Sequence, residues 1–155
     1  DTFTPVLEEK LSEFPTEILG QVMPGDDKEQ ITAEILSFAD RGADLIVCTG
    51  GMSVDPEDRT PGGIRDTGAE IVTYGAPVLP GAMLLVSYLK RNEKTIPVLG
   101  LPGCVMYAKR TVFDLVLPRV MADDEIKAEE IASLGEGGLC LNCPVCTFPN
   151  CGFGK

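Results

Sequence analysis

A short apolar run that opens into paired glycines is the feature that most constrains the fold of this chain. Residues 45–48 are apolar, Gly50 and Gly51 follow almost directly, and carboxylates come after the glycines. A run of this length fits a buried strand, and glycines let backbone N–H groups approach an anion closely. Loops at the carboxyl ends of parallel strands are where open α/β sheets bind ligands. The pattern predicts an anion-binding loop, with a plain tight turn as the alternative.

A second apolar run ends in a similar way. Residues 98–101 lead into Pro102 and Gly103, and the sequence predicts a helix over residues 104–117. Backbone amides at the start of such a helix favour an anion. The two strand-to-helix loops are therefore expected to face one cleft.

Strand-like and helix-like segments alternate along the chain, which predicts a three-layer α/β/α fold with a mostly parallel sheet. The predicted helices begin at Thr4-Pro5, at Asp26 or Asp27, at Thr60-Pro61 and at Cys104. The predicted strands are residues 18–22, 45–48, 69–74, 83–89 and 96–101. We expect residues 45–48 to be central, and residues 83–89 and 96–101 to form a hairpin. A helix over residues 81–89 is the alternative to that hairpin.

Length and composition divide the chain and exclude some classes of protein. With 155 residues, 44% of them hydrophobic, the chain can bury one real core. A net charge of −11 argues against nucleic acid as a partner, and no run approaches the eighteen apolar residues of a membrane span. The composition shifts near Asp123, which predicts a domain over residues 1–123 and an acidic helical arm with a cysteine-rich tail over residues 124–155.

Three short motifs in this order carry a resemblance to a known family. They are Thr49-Gly50-Gly51-x-Ser53, Asp58-x-Thr60-Pro61 and Leu101-Pro102-Gly103. Together with the opening Asp1-x-x-x-Pro5 they resemble the molybdopterin-binding domain of molybdenum-cofactor biosynthesis proteins, from Asp1 to about Asp123. The resemblance implies homo-oligomers, trimers or dimers, and a further strand before Asp1 near the centre of the sheet.

The resemblance also implies which acids do chemistry. Asp58 matches the family acid implicated in adenylyl transfer to molybdopterin, and Asp26 matches a second acid, with Asp27 as the competing position. Two carboxylates from separate loops can hold Mg²⁺ beside the phosphates of ATP. The alternative is that these acids only cap the helices that follow them.

The expected ligand contacts come from the two loops and the segment behind the second. They are Thr49, Gly50, Gly51, Ser53, Pro102, Gly103 and Lys109. Lys109 corresponds to a position that is often basic, although a solvated helix lysine would look the same. Met52, Val105 and Tyr107 depart from the family pattern. These departures bear on adenylyl transfer more than on pterin binding.

The last feature is a group of four cysteines within twelve residues: Cys140, Cys143, Cys146 and Cys151. Such short spacings suit a metal better than disulfide bridges, and favour an iron–sulfur cluster over zinc, with disulfides or free thiols as the remaining alternative. Cys48 and Cys104 are expected to be packing residues. This cysteine usage predicts a reducing, cytoplasmic location.

Three functions fit these observations. The first is binding of molybdopterin in cofactor biosynthesis, with Mg-ATP-dependent adenylyl transfer as its enzymatic form. The second is a non-catalytic module that binds and presents the cofactor, with the cysteine tail as a redox or docking element. The third is a nucleotide pyrophosphatase on the same fold, as the competence-damage family suggests.

Overall fold

Four strands form a single sheet in the computed structural model, which describes residues 2–155. The strands are β1 (Ile46–Thr49), β2 (Glu70–Tyr74), β3 (Leu85–Arg91) and β4 (Lys94–Leu101), in the order β1-β4-β3-β2. β1 pairs in parallel with β4, while β3 is antiparallel to both β4 and β2. Three strands therefore point the same way and only β3 opposes them, so the sheet is mixed but mostly parallel, as predicted.

Helices cover both faces of this sheet. They are α1 (Phe3–Leu11), α2 (Lys28–Asp40), α3 (Thr60–Asp66), α4 (Val112–Met121) and α5 (Ala128–Ser133), with 3₁₀ turns at Gly103–Met106 and Leu134–Glu136. Neighbouring residues of β3 point to opposite faces: Leu85 joins a buried cluster with Ile35 of α2, and Val86 joins another with Phe113 of α4. The two clusters make the three-layer arrangement that the alternation predicted.

The hairpin between β3 and β4 is confirmed, and the alternative of a helix over residues 81–89 is wrong. Asn92 and Glu93, which connect the strands, both have positive φ, 51° and 62°. Two successive residues of that kind give the primed turn whose twist matches paired antiparallel strands. Full pairing from Leu85 with Gly100 to Arg91 with Lys94 follows from this turn.

Two expectations about the sheet are wrong within the described residues. Residues 18–22 form no strand, and Ile18 and Leu19 are 53% and 44% exposed. An apolar run becomes a strand only where another strand pairs with it, and no described strand pairs with this one. β1 is not central, because only β4 pairs with it. The strand expected before Asp1 lies outside the described residues.

The predicted helix over residues 104–117 is interrupted. A 3₁₀ turn ends at Met106, and α4 begins only at Val112. Thr111, which is fully buried, precedes α4 in extended conformation, and its backbone N–H donates to the Asp114 carboxylate at 2.7 Å. This capping box starts a new helix where the apolar pattern alone predicted continuation.

The segment after Asp123 forms one short helix, α5, rather than a helix over the whole acidic stretch. Ile126 and Ile131 are 1% and 3% exposed and belong to the cluster that contains Phe113. Phe153, two residues from the end, is in the same cluster at 3% exposure. The domain boundary near Asp123 stays a prediction, although these three residues beyond it belong to the core. No helix in residues 2–155 is long and apolar enough to cross a membrane.

Candidate functional site

The two predicted ligand loops leave the sheet side by side. β1 and β4 are adjacent parallel strands, and their last residues, Thr49 and Leu101, are partners in the register. Gly50 follows the first strand and Pro102 follows the second. The two turns therefore meet at the carboxyl edge of the sheet, where open α/β sheets form their ligand sites.

The first loop depends on glycine for its shape. Gly50 and Gly51 have φ of +80° and +56°, in the left-handed region that other residues rarely adopt. The Thr60 hydroxyl donates to the Gly50 carbonyl oxygen at 2.8 Å, and a Cβ atom on Gly51 would lie 3.0 Å from that hydroxyl oxygen. The loop is thus held against the first residue of α3.

Asp58 closes the other end of the loop. Its Oδ2 atom accepts hydrogen bonds from the Ser53 backbone N–H at 2.6 Å and from the Ser53 hydroxyl at 2.7 Å. The Tyr74 hydroxyl donates to the Ser53 carbonyl oxygen at 2.9 Å, and partial burial, with a smaller contribution from the Asp58 charge, raises the pKa of Tyr74. No described hydrogen bond reaches the Oδ1 atom of Asp58, which leaves one carboxylate oxygen available to a ligand.

Met52 is turned into the protein rather than toward the loops. Its side chain is 3% exposed and lies against Gly100 of β4, where an added Cβ atom would come within 2.5 Å of the Met52 Cε atom. Threonine is common at this position in the family that the motifs resemble, and Met52 offers no hydroxyl in its place. Sequence reasoning missed this pairing, although a lone glycine inside a strand pattern often marks such a close approach.

The helical turn that follows the second loop is shorter than predicted. Pro102 is extended, with ψ of 156°, and the 3₁₀ turn Gly103–Met106 that follows has four residues. Tyr107, which is 79% exposed, ends the turn. Because the turn is so short, the dipole of a long helix cannot contribute to anion binding here, and any contribution must come from individual backbone N–H groups.

The segment behind this loop is fixed by a buried ion pair that sequence reasoning did not find. Lys10 of α1 contacts both carboxylate oxygens of Asp114 at 2.7 and 2.9 Å, and both residues are buried. Arg110 adds a third contact to Asp114, at 3.0 Å. Lys109, predicted to meet a phosphate, donates to the Cys143 carbonyl oxygen at 3.4 Å. No local pattern relates Lys10 to Asp114, since they are 104 residues apart.

Asp26 and Asp27, the two candidates for the second acid, differ in what they contact. Asp27 is the N-cap of α2 and accepts from the backbone N–H groups of Glu29 and Gln30 at 2.9 and 3.1 Å. Asp26 makes no such cap, and both acids line an open depression of about 610 Å³ together with Lys28, Glu29 and Arg59. Asp58 does not line this depression, although it is the neighbour of Arg59 in sequence. The capping role thus belongs to Asp27, and Asp26 remains the candidate for chemistry.

The cysteines are not gathered into one cluster. All six are free; Cys140 is half-buried, whereas Cys143, Cys146 and Cys151 are exposed. Within the described residues no group of three or more His, Cys, Asp or Glu side chains is placed to hold a metal ion. Burial raises the pKa of the Cys48 thiol to about 12, which agrees with its expected role as a packing residue.

The family that the motifs resembled is confirmed by comparison with known protein families. A family model described as "probable molybdopterin binding domain" matches residues 1–122. The chain belongs to this family. The match supports a molybdopterin-binding role in molybdenum-cofactor biosynthesis. Residues 123–155 lie outside the match. A search of curated proteins finds no significant match.

Proposed function

We propose that this chain binds the phosphate end of molybdopterin between the Gly50-Gly51 turn and the Pro102-Gly103 turn. The observation that carries the proposal is the register of β1 and β4, in which Thr49 pairs with Leu101. Each turn begins at the residue that follows its strand. A phosphate between the turns could therefore accept hydrogen bonds from backbone N–H groups on two sides. Thr49 and Ser53 then flank the ligand within the first loop.

Charge is the main difficulty for an anionic ligand, because the chain carries a net charge of −11. Backbone N–H groups supply part of the positive potential. Arg59 directly follows Asp58, is exposed and makes no ion pair with any described residue, whereas Lys109 already contacts the Cys143 carbonyl oxygen. We therefore infer that Arg59 is better placed than Lys109 to meet a terminal phosphate.

The enzymatic form of the proposal is transfer of AMP from Mg-ATP to molybdopterin. An oxygen of the molybdopterin phosphate attacks the α-phosphorus of ATP, the bond to the bridging oxygen breaks, and pyrophosphate leaves. In nucleotide sites Mg²⁺ is held by only one or two carboxylates together with phosphate oxygens. Asp58 fits this requirement through its free Oδ1 atom, and Asp26 is the second candidate. The bound ion would neutralise charge that develops on the transferring group.

One observation favours the non-catalytic module as a second candidate. Met52 occupies the family's threonine position and is buried against Gly100, while the Ser53 hydroxyl is already hydrogen-bonded to Asp58. The hydroxyl that a threonine would offer at position 52 is thus absent, and that of Ser53 is engaged. Such a module would bind molybdopterin without consuming ATP.

For either candidate we also propose a cytoplasmic homo-oligomer, a dimer or trimer. Sedimentation of the purified protein would test the oligomeric state.

Pyrophosphate release from Mg-ATP, with and without molybdopterin, separates the candidates. Release that depends on molybdopterin and is lost in Asp58→Asn would support adenylyl transfer. Asp55→Asn is the matched control, since Asp55 is an exposed acid of the same loop whose carboxylate accepts only from the Glu57 N–H. Binding without release would support the module. Cleavage of ATP without molybdopterin would favour the nucleotide pyrophosphatase.

A further inference from the structure

The cysteine-rich tail is a loop whose two ends are fastened together. Gly138 and Phe153 form an isolated parallel bridge. The Gly138 N–H donates to the Gly152 carbonyl oxygen at 2.7 Å, and the Gly154 N–H donates to the Gly138 carbonyl oxygen at 3.0 Å. Phe153 is buried in the core at this point. Residues 139–152, which we call the cysteine loop, therefore begin and end at one fixed place.

The cysteine loop is also docked along one side. The Phe148 ring lies 6.3 Å from the Phe153 ring, and the Arg110 guanidinium lies over Phe148 at 4.7 Å from the ring centre. The Cys140 N–H donates to the Leu79 carbonyl oxygen at 3.1 Å. The loop is thus held to the segment that follows the second ligand loop.

Between these anchors the chain has little structure of its own. Residues 139–152 contain turns and bends but no helix or strand. Of the four cysteines, Cys143, Cys146 and Cys151 are exposed, and none is in a disulfide. Cys140, Cys143 and Cys146 are three residues apart, at most about 11 Å along an extended chain, and Cys151 follows five residues later, at most about 18 Å. The four sulfur atoms can therefore converge without any movement of the fastened ends.

We propose that the cysteine loop is a binding site for a thiophilic metal centre, ligated by Cys140, Cys143, Cys146 and Cys151. The sulfur atoms are not gathered in the present arrangement, so the metal assembles the site by rearranging the loop. Metal-driven ordering of this kind is common where ligands lie in a short segment, and each thiol releases its proton as it becomes a thiolate ligand. A single Zn²⁺ and an iron–sulfur cluster share this four-thiolate chemistry.

Two cations next to the loop support a site with negatively charged ligands. Lys109 contacts the Cys143 carbonyl oxygen, and the Arg110 guanidinium lies over the Phe148 ring of the loop. Positive charge near thiolates stabilises them. Because Lys109 and Arg110 belong to the segment behind the Pro102-Gly103 turn, metal binding should also slow amide hydrogen exchange in residues 103–111.

The test uses the full chain, reduced and freed of metal under anaerobic conditions, and titrated with Co²⁺ as an optical probe. We expect one Co²⁺ per chain, with the absorption bands of tetrahedral thiolate coordination. The double variant Cys143→Ser/Cys146→Ser should bind Co²⁺ more weakly. The loss should exceed the roughly 10- to 100-fold that removal of an outer-sphere partner causes. Cys48→Ala, which removes a thiol outside the loop, should bind as the wild type does.

Reconstitution with Fe²⁺ and sulfide distinguishes the two centres. Acid-labile sulfide in stoichiometric amount identifies a cluster, and tight Zn²⁺ binding without sulfide retention identifies a zinc site; either supports the proposal. Absence of Co²⁺, Zn²⁺ and iron uptake by the reduced protein would overturn it. So would metal binding that is unchanged in the double serine variant, or intramolecular disulfides in the isolated protein with no metal uptake after reduction.

Discussion

Replacement of Asp58 separates its role in holding the first loop from its role as a charge. In Asp58→Asn the amide oxygen can occupy the place of Oδ2 and accept both hydrogen bonds from Ser53, at 2.6 and 2.7 Å in the wild type. In Asp58→Ala both bonds are lost. A hydrogen bond to a charged group contributes about 1.5–3 kcal/mol, and less where water reaches it. We expect Asp58→Ala to lower the free energy of unfolding by about 1–3 kcal/mol and Asp58→Asn by less than about 1 kcal/mol.

Activity should depend on the charge of Asp58 rather than on its hydrogen bonds, so Asp58→Asn should lose activity although it keeps its stability. If Asp58 holds Mg²⁺, loss of its charge removes several kcal/mol of transition-state stabilisation, which is about 100-fold or more in turnover. Asp58→Asn should therefore bind molybdopterin, keep its stability in urea denaturation and lose pyrophosphate release, whereas Asp55→Asn should keep all three. Equal destabilisation by Asn and Ala would refute the hydrogen-bond argument. Undiminished turnover in Asp58→Asn would refute the assignment of the charge.

Three further substitutions test the packing around the site by urea denaturation. Gly100→Ala should lower the free energy of unfolding by about 1–3 kcal/mol, because the added Cβ atom meets the Met52 side chain. In a Met52→Ala background the same substitution should cost less. An equal cost in both backgrounds would contradict the contact. Asp114→Ala should lower the free energy of unfolding by about 3–5 kcal/mol, because the buried Lys10 ammonium loses its main partner. Adding Lys10→Met should recover part of that loss. Ile126→Ala should cost about 2–5 kcal/mol in one cooperative transition; unchanged stability would show that residues beyond Asp123 do not share the core.

The parts of the fold that local sequence determines were predictable. The run before Gly50 becomes β1, Thr60-Pro61 begins α3, and residues 92–93 turn the hairpin. Each depends on conformational preferences of a few neighbouring residues. The position of β1 at the sheet edge was not predictable, because strand order depends on pairing between distant segments.

Two errors have a common physical cause. Residues 18–22 are apolar enough for a strand but have no described strand to pair with, and residues 104–117 are apolar enough for a helix but are divided by the Thr111–Asp114 capping box. An apolar pattern reports burial, whereas the partner of each backbone N–H group decides the secondary structure.

The candidate site shows the same division. The glycine turn, Asp58 and the Pro102-Gly103 turn were found from their motifs. Tyr74 and the partnership of Met52 with Gly100 were not, because β2 and β4 bring them to the first loop only after the sheet forms. Asp27 was recognised as a competitor of Asp26, and its two backbone contacts identify it as the cap.

The central claim is that molybdopterin lies between the two turns at the carboxyl edge of β1 and β4. The most direct test is amide hydrogen exchange of the full chain, resolved by peptide, with and without molybdopterin. Our account predicts slower exchange in residues 50–52 and 103–104, since their backbone N–H groups would donate to the ligand. Protection confined to other segments, or binding that leaves both turns unchanged, would contradict it.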